Sequence, residues 1–280
     1  MLELGRIVNR AFSPLDKRQI DKQTQVDLFM LVIKLSGKAL SDEHALQALF
    51  SQLHLSSQEA IIVHGGGVEV DKLLSALNFK SEKKDGIRIS PKEQMPYITA
   101  MLAGVCNKTL QGLAIKSSLN AVGLLCTDFN LCALEPYPFE YGQVAAVKAK
   151  DSSLVAELVH HGITPVICSI GLDAQGSLFN INADEVAACL ALELKAPLVF
   201  FSDVKGVLDS HGQLIEHIDE TLCEQLLADG TINEGMAVKV KNALKVAKHS
   251  GAPVFIASIF DAQARANLSS LRCIGTTLSA

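Results

Sequence analysis

The chain has 280 residues, 49% hydrophobic and 20% charged, with a formal net charge of −5. That is ordinary globular composition, enough for one large α/β unit or two lobes. It lacks the basic face of a nucleic-acid binder, a signal-peptide core within residues 1–30 and any apolar run near the roughly 18 residues of a membrane span, so a soluble, cytoplasmic protein is expected.

Residues 1–29 stand apart. "LELGRIVNRAF" puts Leu2, Ile7, Val8 and Phe12 at loosely helical spacing, Pro14 breaks it, and "DKRQIDKQTQ" is polar. From Met30 the pattern turns to strand and helix in alternation. "FMLVIKL" reads as a buried strand, and "SDEHALQALFSQL" as a helix capped by Ser41. "EAIIVHGGG" is a second strand, and "VEVDKLLSAL" a second helix. "KSEKKDGIRIS" carries a hairpin turn at Asp85-Gly86. A long helix is expected over "SPKEQMPYITAMLAGVCNKTLQGLAIK", with Ser90 as cap and Pro91 in its first position. "AVGLLC" is a strand, and "LCALEPYPFEYGQVAAVKA" a β-ribbon. "DSSLVAELVHHG" is a helix stopped by Gly162, and "TPVICSIG" a strand. "DEVAACLALELK", "ETLCEQLLADG" and "GMAVKVKNALKVAKHSG" are helices, and "APLVFFSDV" and "APVFIAS" are strands.

Apolar strands alternating with amphipathic helices imply a mainly parallel sheet with helices on both faces, a three-layer α-β-α sandwich. Ligands on such sheets sit outside the carboxyl ends of the strands. The Gly65-Gly66-Gly67 run lies at such an end. The chain has no GxxxxGK[ST] loop. A dinucleotide fingerprint fits poorly, because Val70 occupies the third glycine position. An esterase oxyanion loop lacks its GxSxG partner, the nearest stretch being "ICSIG". What remains is a loop of free N–H groups leading into a helix, which favours an anion. "KLSG" at 34–37 and "SDVKG" at 202–206 are similar loops, and together they suggest a phosphate clamp. The seven cysteines are scattered without a CxxC pair, so they read as buried free thiols in a reducing compartment, with no metal site.

From about Met30 onward the chain resembles the amino-acid kinase family, and within it the acetylglutamate kinases. The matching stretches, in order, are "VIKLSGKAL", "IIVHGGG", "KKDGIRIS", "LAGVCNKTL", "PVICSIG", "FNINADE", "FFSDVKGVLD", "INEGMAVKVKNAL" and "GTTL". The resemblance implies two lobes, 30–195 for an acyl substrate and 196–280 for ATP. It implies transfer of the γ-phosphoryl group of ATP, with Mg²⁺ held mainly by the nucleotide phosphates, to the side-chain carboxylate of N-acetyl-L-glutamate in arginine biosynthesis. A carboxylate is already ionised at neutral pH, so no general base is expected; lysines and N–H groups must hold two polyanions in line.

Carried onto this sequence, the resemblance makes Lys34 and Lys239 the lysines that face the transition state. Asp184 would orient both. A lysine inside "LVIKL" needs an anionic partner in any case. Gly66 and Gly67 would meet the acyl substrate through backbone N–H groups, Arg88 would fork onto its α-carboxylate, and Asn180 would bind its amide or carboxylate. Gly37, Asp203, Val204, Lys205, Gly206, Val207, Leu208, Thr231, Ile232 and Asn233 would frame the nucleotide. His64 is expected to be a packed or hydrogen-bonded histidine rather than a catalyst. Ser36 stands where acetylglutamate kinases commonly have glycine. A homodimer is the family expectation. Residues 1–12 are read first as part of a tail, or as lying before a true start at Met30, with a helix that links dimers into hexamers as the alternative. The rivals are a kinase of this fold with another carboxylate acceptor, a non-catalytic amino-acid-sensing domain and a dinucleotide-binding oxidoreductase.

Overall fold

The strand over Leu31–Leu35 (β1) holds the middle of the sheet because four of its five residues are apolar and wholly buried. Full burial of a Leu, Ile or Val side chain contributes about 1.5–3 kcal/mol. The computed structural model describes residues 30–84, 86–232 and 234–279. The expected helix over 1–12, Asp85 and Asn233 lie outside the described residues.

After β1 come the helix Glu43–Leu55 (α1), the strand Ala60–His64 (β2) and the helix Gly67–Ala76 (α2). A short hairpin follows, Lys83–Lys84 (β3) and Ile87–Arg88 (β4), turning at Gly86 with φ +78°. Next are the helix Met95–Thr99 (α3), a π-helical stretch over Ala100–Cys106, and the helix Asn107–Lys116 (α4). Asn120–Leu125 (β5), Cys132–Pro136 (β6) and Val144–Ala149 (β7) lead to the helix Ser153–His160 (α5). Ile163–Cys168 (β8), Ile170–Leu172 (β9) and Leu178–Ile181 (β10) precede the helix Ala183–Leu194 (α6). Leu198–Ser202 (β11) and His217–Ile218 (β12) are followed by Glu220–Ala228 (α7) and Glu234–Ser250 (α8). Val254–Ser258 (β13), Ala262–Ala266 (α9) and Thr276–Leu278 (β14) complete the described chain.

Eight strands form one sheet in the order β12-β14-β13-β11-β1-β2-β8-β5. Strands β5, β8, β2, β1, β11 and β13 run parallel, and β14 and β12 run against them. The period-2 alternation of a strand sends Leu31, Ile33 and Leu35 into one core with Leu46, Leu49 and Phe50 of α1. Val32 goes to the opposite core with Val186 and Leu190 of α6. These are the two helical layers of the expected sandwich. The same alternation puts Lys34 on the Val32 face, under α6.

Local chemistry moves several expected boundaries. The cap of α1 is Asp42, whose carboxylate accepts from Ala45 N at 2.8 Å, while Ser41 sits in the preceding 3₁₀ turn. Ser90 caps no helix. Its N–H donates to Tyr141 O at 2.9 Å and its carbonyl accepts from Gln143 N at 2.7 Å, so its backbone is engaged beside the β6–β7 ribbon. The helix therefore starts at Met95, with Pro96 rather than Pro91 in its first turn. "TPVICSIG" is not one strand: β8 ends at Cys168, and β9 joins a second sheet, β6-β7-β10-β9. The cysteines are free, and most are buried, but Cys189 is half-buried and Cys273 exposed.

Gly123 of β5 faces Asn107 at the start of α4. A Cβ there would lie 1.9 Å from Asn107 Oδ1. The approach is closed to any side chain, and overpacking of this kind costs about 1–3 kcal/mol. Gly123→Ala is expected to lower the unfolding free energy by that amount, read as a lower urea midpoint at an unchanged m-value.

Candidate active site

The parallel strands end together, and their loops form one edge. In register, Leu35 lies beside His64 and Phe201, and Ser202 beside Ser258. The loops after β1, β2 and β11 are thus neighbours. A Cβ on Gly37 would stand 3.8 Å from Gly67 N and Val68 N, so the first two glycine loops abut. A Cβ on Gly65 would touch Ala183 Cβ at 3.5 Å, which brings the start of α6 against the same loop. Gly66 has φ +157°, and a Cβ there would meet Leu102 Cδ2 at 2.8 Å and Cys106 Sγ at 2.9 Å. The π-helical stretch packs directly on this glycine, so only a bare Cα fits.

Helix α6 starts with Asn182 as its cap, the side chain accepting from Asp184 N at 2.9 Å. Asp184 follows in the first turn, where the helix dipole favours a carboxylate. Its Oδ1 lies 2.6 Å from Lys34 Nζ, with Lys34 only 13% exposed. A lysine in a central strand has found the anion it requires, as expected. Lys239, on α8, lines the same 730 Å³ cavity as Asn182 and Asp184. It forms no ion pair with Asp184 among the described residues. Instead Asp203, after β11, lies in the field of Lys239 and pairs with Lys38 Nζ at 2.6 Å, which holds its carboxyl below the usual range. Lys38 follows Gly37 directly and is a site cation that sequence reasoning missed.

A second cluster forms around Arg88, which is only 8% exposed. Its Nη1 donates to Asp71 Oδ1 and to Ser81 Oγ, and its Nη2 donates to Gly67 O at 3.0 Å. The Arg88 carbonyl accepts from Ser90 Oγ at 3.1 Å, and Ser90 Oγ accepts from Asn180 Nδ2 at 3.1 Å. One chain of contacts therefore joins Gly67, Arg88 and Asn180, through Ser90. Asp71 and Ser81 were not anticipated. Asp71 is spaced like any solvated acid on an amphipathic helix, and Ser81 like any loop serine.

The loop 203–208 is braced from below. Gly206 has φ +152°, and a Cβ there would fall 2.5 Å from Thr276 Oγ1. Val207 N donates to Thr276 Oγ1 at 2.8 Å, which in turn donates to Ile215 O. The "GTTL" stretch thus supports the loop. Val207 is buried, Lys205 lends its carbonyl to the packing near Gly275, and Leu208 is exposed. Val204 packs against the same core as Val207 and Ile232. The Thr231 N–H donates to Asp229 Oδ1 within the same turn at 2.9 Å.

His64 is fully buried. Its Nδ1–H donates to Gly65 O at 2.8 Å, and its Nε2 accepts from Asn107 Nδ2 at 3.1 Å. Asn107 also donates to Val166 O at 2.8 Å. Both ring nitrogens are taken by the loop and its neighbour, so the ring is a neutral strut of the glycine loop, not a proton shuttle. Burial lowers its pKa to about 4.

Residues 29–258 match the profile of the amino acid kinase family. The chain is 44% identical over 239 residues to the acetylglutamate kinase of Vibrio cholerae serotype O1, covering 84% of this chain and 91% of that one. Its fold is similar to a crystal structure of a Streptococcus mutans protein, at TM-score 0.76 and 26% identity over 90% of this chain and 98% of that one. It is also similar to N-acetylglutamate synthase from Neisseria gonorrhoeae complexed with coenzyme A and N-acetyl-glutamate, at TM-score 0.77 and 18% identity over 90% of this chain and 59% of that one; that likeness is one of fold.

The lowered pKa of His64 has a definite sign. The folded state keeps the ring neutral, while the unfolded chain takes up a proton below about pH 6.5. The contribution is therefore complete above pH 6.5, falls as pH drops to about 4, and is flat below that. Its size is about 3 kcal/mol. Unfolding free energies measured between pH 7 and 4.5 are expected to fall less steeply in His64→Gln than in the wild type, by most of one proton.

Proposed function

The chain belongs to the amino acid kinase family and, within it, to the acetylglutamate kinases, and from that premise we propose that its cleft moves the γ-phosphoryl group of ATP onto the side-chain carboxylate of N-acetyl-L-glutamate. The product is an acyl phosphate on the arginine-biosynthetic route. The observation that carries this reading is the Lys34–Asp184 pair at the strand ends, set beside a glycine loop that also holds Arg88.

The acceptor carboxylate is ionised at neutral pH and attacks without a general base. The chain's task is to position it and to stabilise charge on the phosphoryl group in transit. N–H groups of Gly66 and Gly67 receive the acyl end, with Arg88 on the α-carboxylate and Asn180 beside it. Asp184 keeps Lys34 aimed along the strand ends. Lys239 approaches from α8. Gly37, Asp203 and the loop to Leu208 receive the nucleotide, with Thr231, Ile232 and Asn233 at its edge. The division into an acyl lobe over 30–195 and an ATP lobe over 196–280 is part of this proposal.

The cleft fits a magnesium ion that arrives on the nucleotide. Its two carboxylates, Asp184 and Asp203, are each engaged by a lysine, and among the described residues no three His, Cys, Asp or Glu side chains gather into a metal cluster. The bound ion supplies charge neutralisation for the phosphates. The proposal includes a homodimer, which the open edge at β5 and the exposed Val105 and Ile115 support. It also includes the cytoplasm, where seven free thiols are at home.

The test is ADP release from MgATP with N-acetyl-L-glutamate, glutamate, aspartate, carbamate and UMP in parallel. Turnover is expected with N-acetyl-L-glutamate alone, and kcat at least 100-fold lower in Lys34→Ala and Lys239→Ala. Turnover with another acceptor would keep the fold and overturn the substrate.

A further inference from the structure

Arg88 has five N–H donors. Nη1 spends its two on Asp71 Oδ1 and Ser81 Oγ, and Nη2 spends one on Gly67 O. Among the described residues Nε–H and one Nη2–H have no partner, two donors that suffice to fork onto one carboxylate. Three bonds, two from α2 and one from the loop at Ser81, leave the guanidinium almost no freedom. Gly67 and Asp71 lie one turn apart on α2, so this helix grips Arg88 at both ends of that turn. Ser81 Oγ completes the ring by donating to Asp71 Oδ1 at 2.6 Å.

Charge points the same way. Asp71 Oδ2 also lies 3.9 Å from Lys83 Nζ. Arg88, Lys83 and Asp71 together carry one positive charge, which one carboxylate neutralises. Without Asp71 the cluster would carry two, a match for a dianion such as phosphate.

We propose that Asp71, with Ser81, is the positioning residue that aims the free edge of Arg88 and matches the acceptor site to a singly charged carboxylate. This rests on the reading above that Arg88 binds the acceptor. Asp71 touches no reacting atom, so its removal acts on acceptor affinity and anion selectivity and not on phosphoryl transfer.

The experiment compares wild type, Asp71→Asn and Ser81→Ala, each checked for an intact urea transition. In Asp71→Asn the KM for N-acetyl-L-glutamate is expected to rise 10- to 100-fold, with kcat and the KM for ATP within about threefold of wild type. Inorganic phosphate, titrated by calorimetry, is expected to bind Asp71→Asn more tightly than the wild type. Ser81→Ala should raise the same KM severalfold, and it carries the test if Asp71→Asn does not fold. Parallel loss of kcat and of both KM values would mean a merely structural role and overturn the proposal. So would unchanged acceptor KM or unchanged phosphate affinity. If the wild type turns over a different carboxylate, the substrate reading fails, while the phosphate titration still decides the role of Asp71.

Discussion

A lysine in the central strand of a parallel sheet is the constraint on which the strand-end edge depends. Lys34 is only 13% exposed, so little water solvates its ammonium group and a carboxylate must be brought to it. Strand alternation decides the face, and the start of α6 supplies the acid. Once α6 begins there, Ala183 is fixed against Gly65, and the glycine loop is fixed against the π-helical stretch. Such a pair adds little net stability, because desolvation offsets most of its attraction. Its value is geometric, since it places one ammonium group at the strand ends.

The Arg88 cluster uses the opposite approach. Lys34 is held by one strong partner, whereas Arg88 is held by three groups, two on α2 and one in the loop that follows it. The hairpin β3–β4 is only two residues per strand, too short to be rigid alone. Docking its arginine on α2 gives it the stiffness its own ladder lacks. His64 and Asn107 do the same for the glycine loop from beneath.

The legible parts of the sequence were those with strong periodicity. The apolar runs of β1, β2, β8, β11 and β13 announced a parallel sheet, and the glycines after β1, β2 and β11 announced the loops that abut at one edge. Lys34 was legible because a charge inside an apolar run has few explanations. Asp71 and Lys38 were not, since an exposed-looking charge on a helix or loop resembles ordinary solvated surface until a partner is seen. Ser90 misled because a Ser-Pro pair has the chemistry of a helix start, while its backbone is claimed by residues 50 positions later. The strands β9, β10, β12 and β14 have two to four residues each, and so short a segment shows no period.

The Lys38–Asp203 pair has a meaning beyond its contact distance. Both side chains face solvent, so the bond is screened and worth little, typically under about 1 kcal/mol. It spans two loops at which a polyphosphate is expected. Asp203 acts there as a stand-in counterion for Lys38. It keeps two lysine-bearing loops from repelling one another, and under the proposed function a phosphate oxygen would exchange for it at little cost. Under the proposed function, entry of the nucleotide would be a swap of partners instead of the creation of a new charged site.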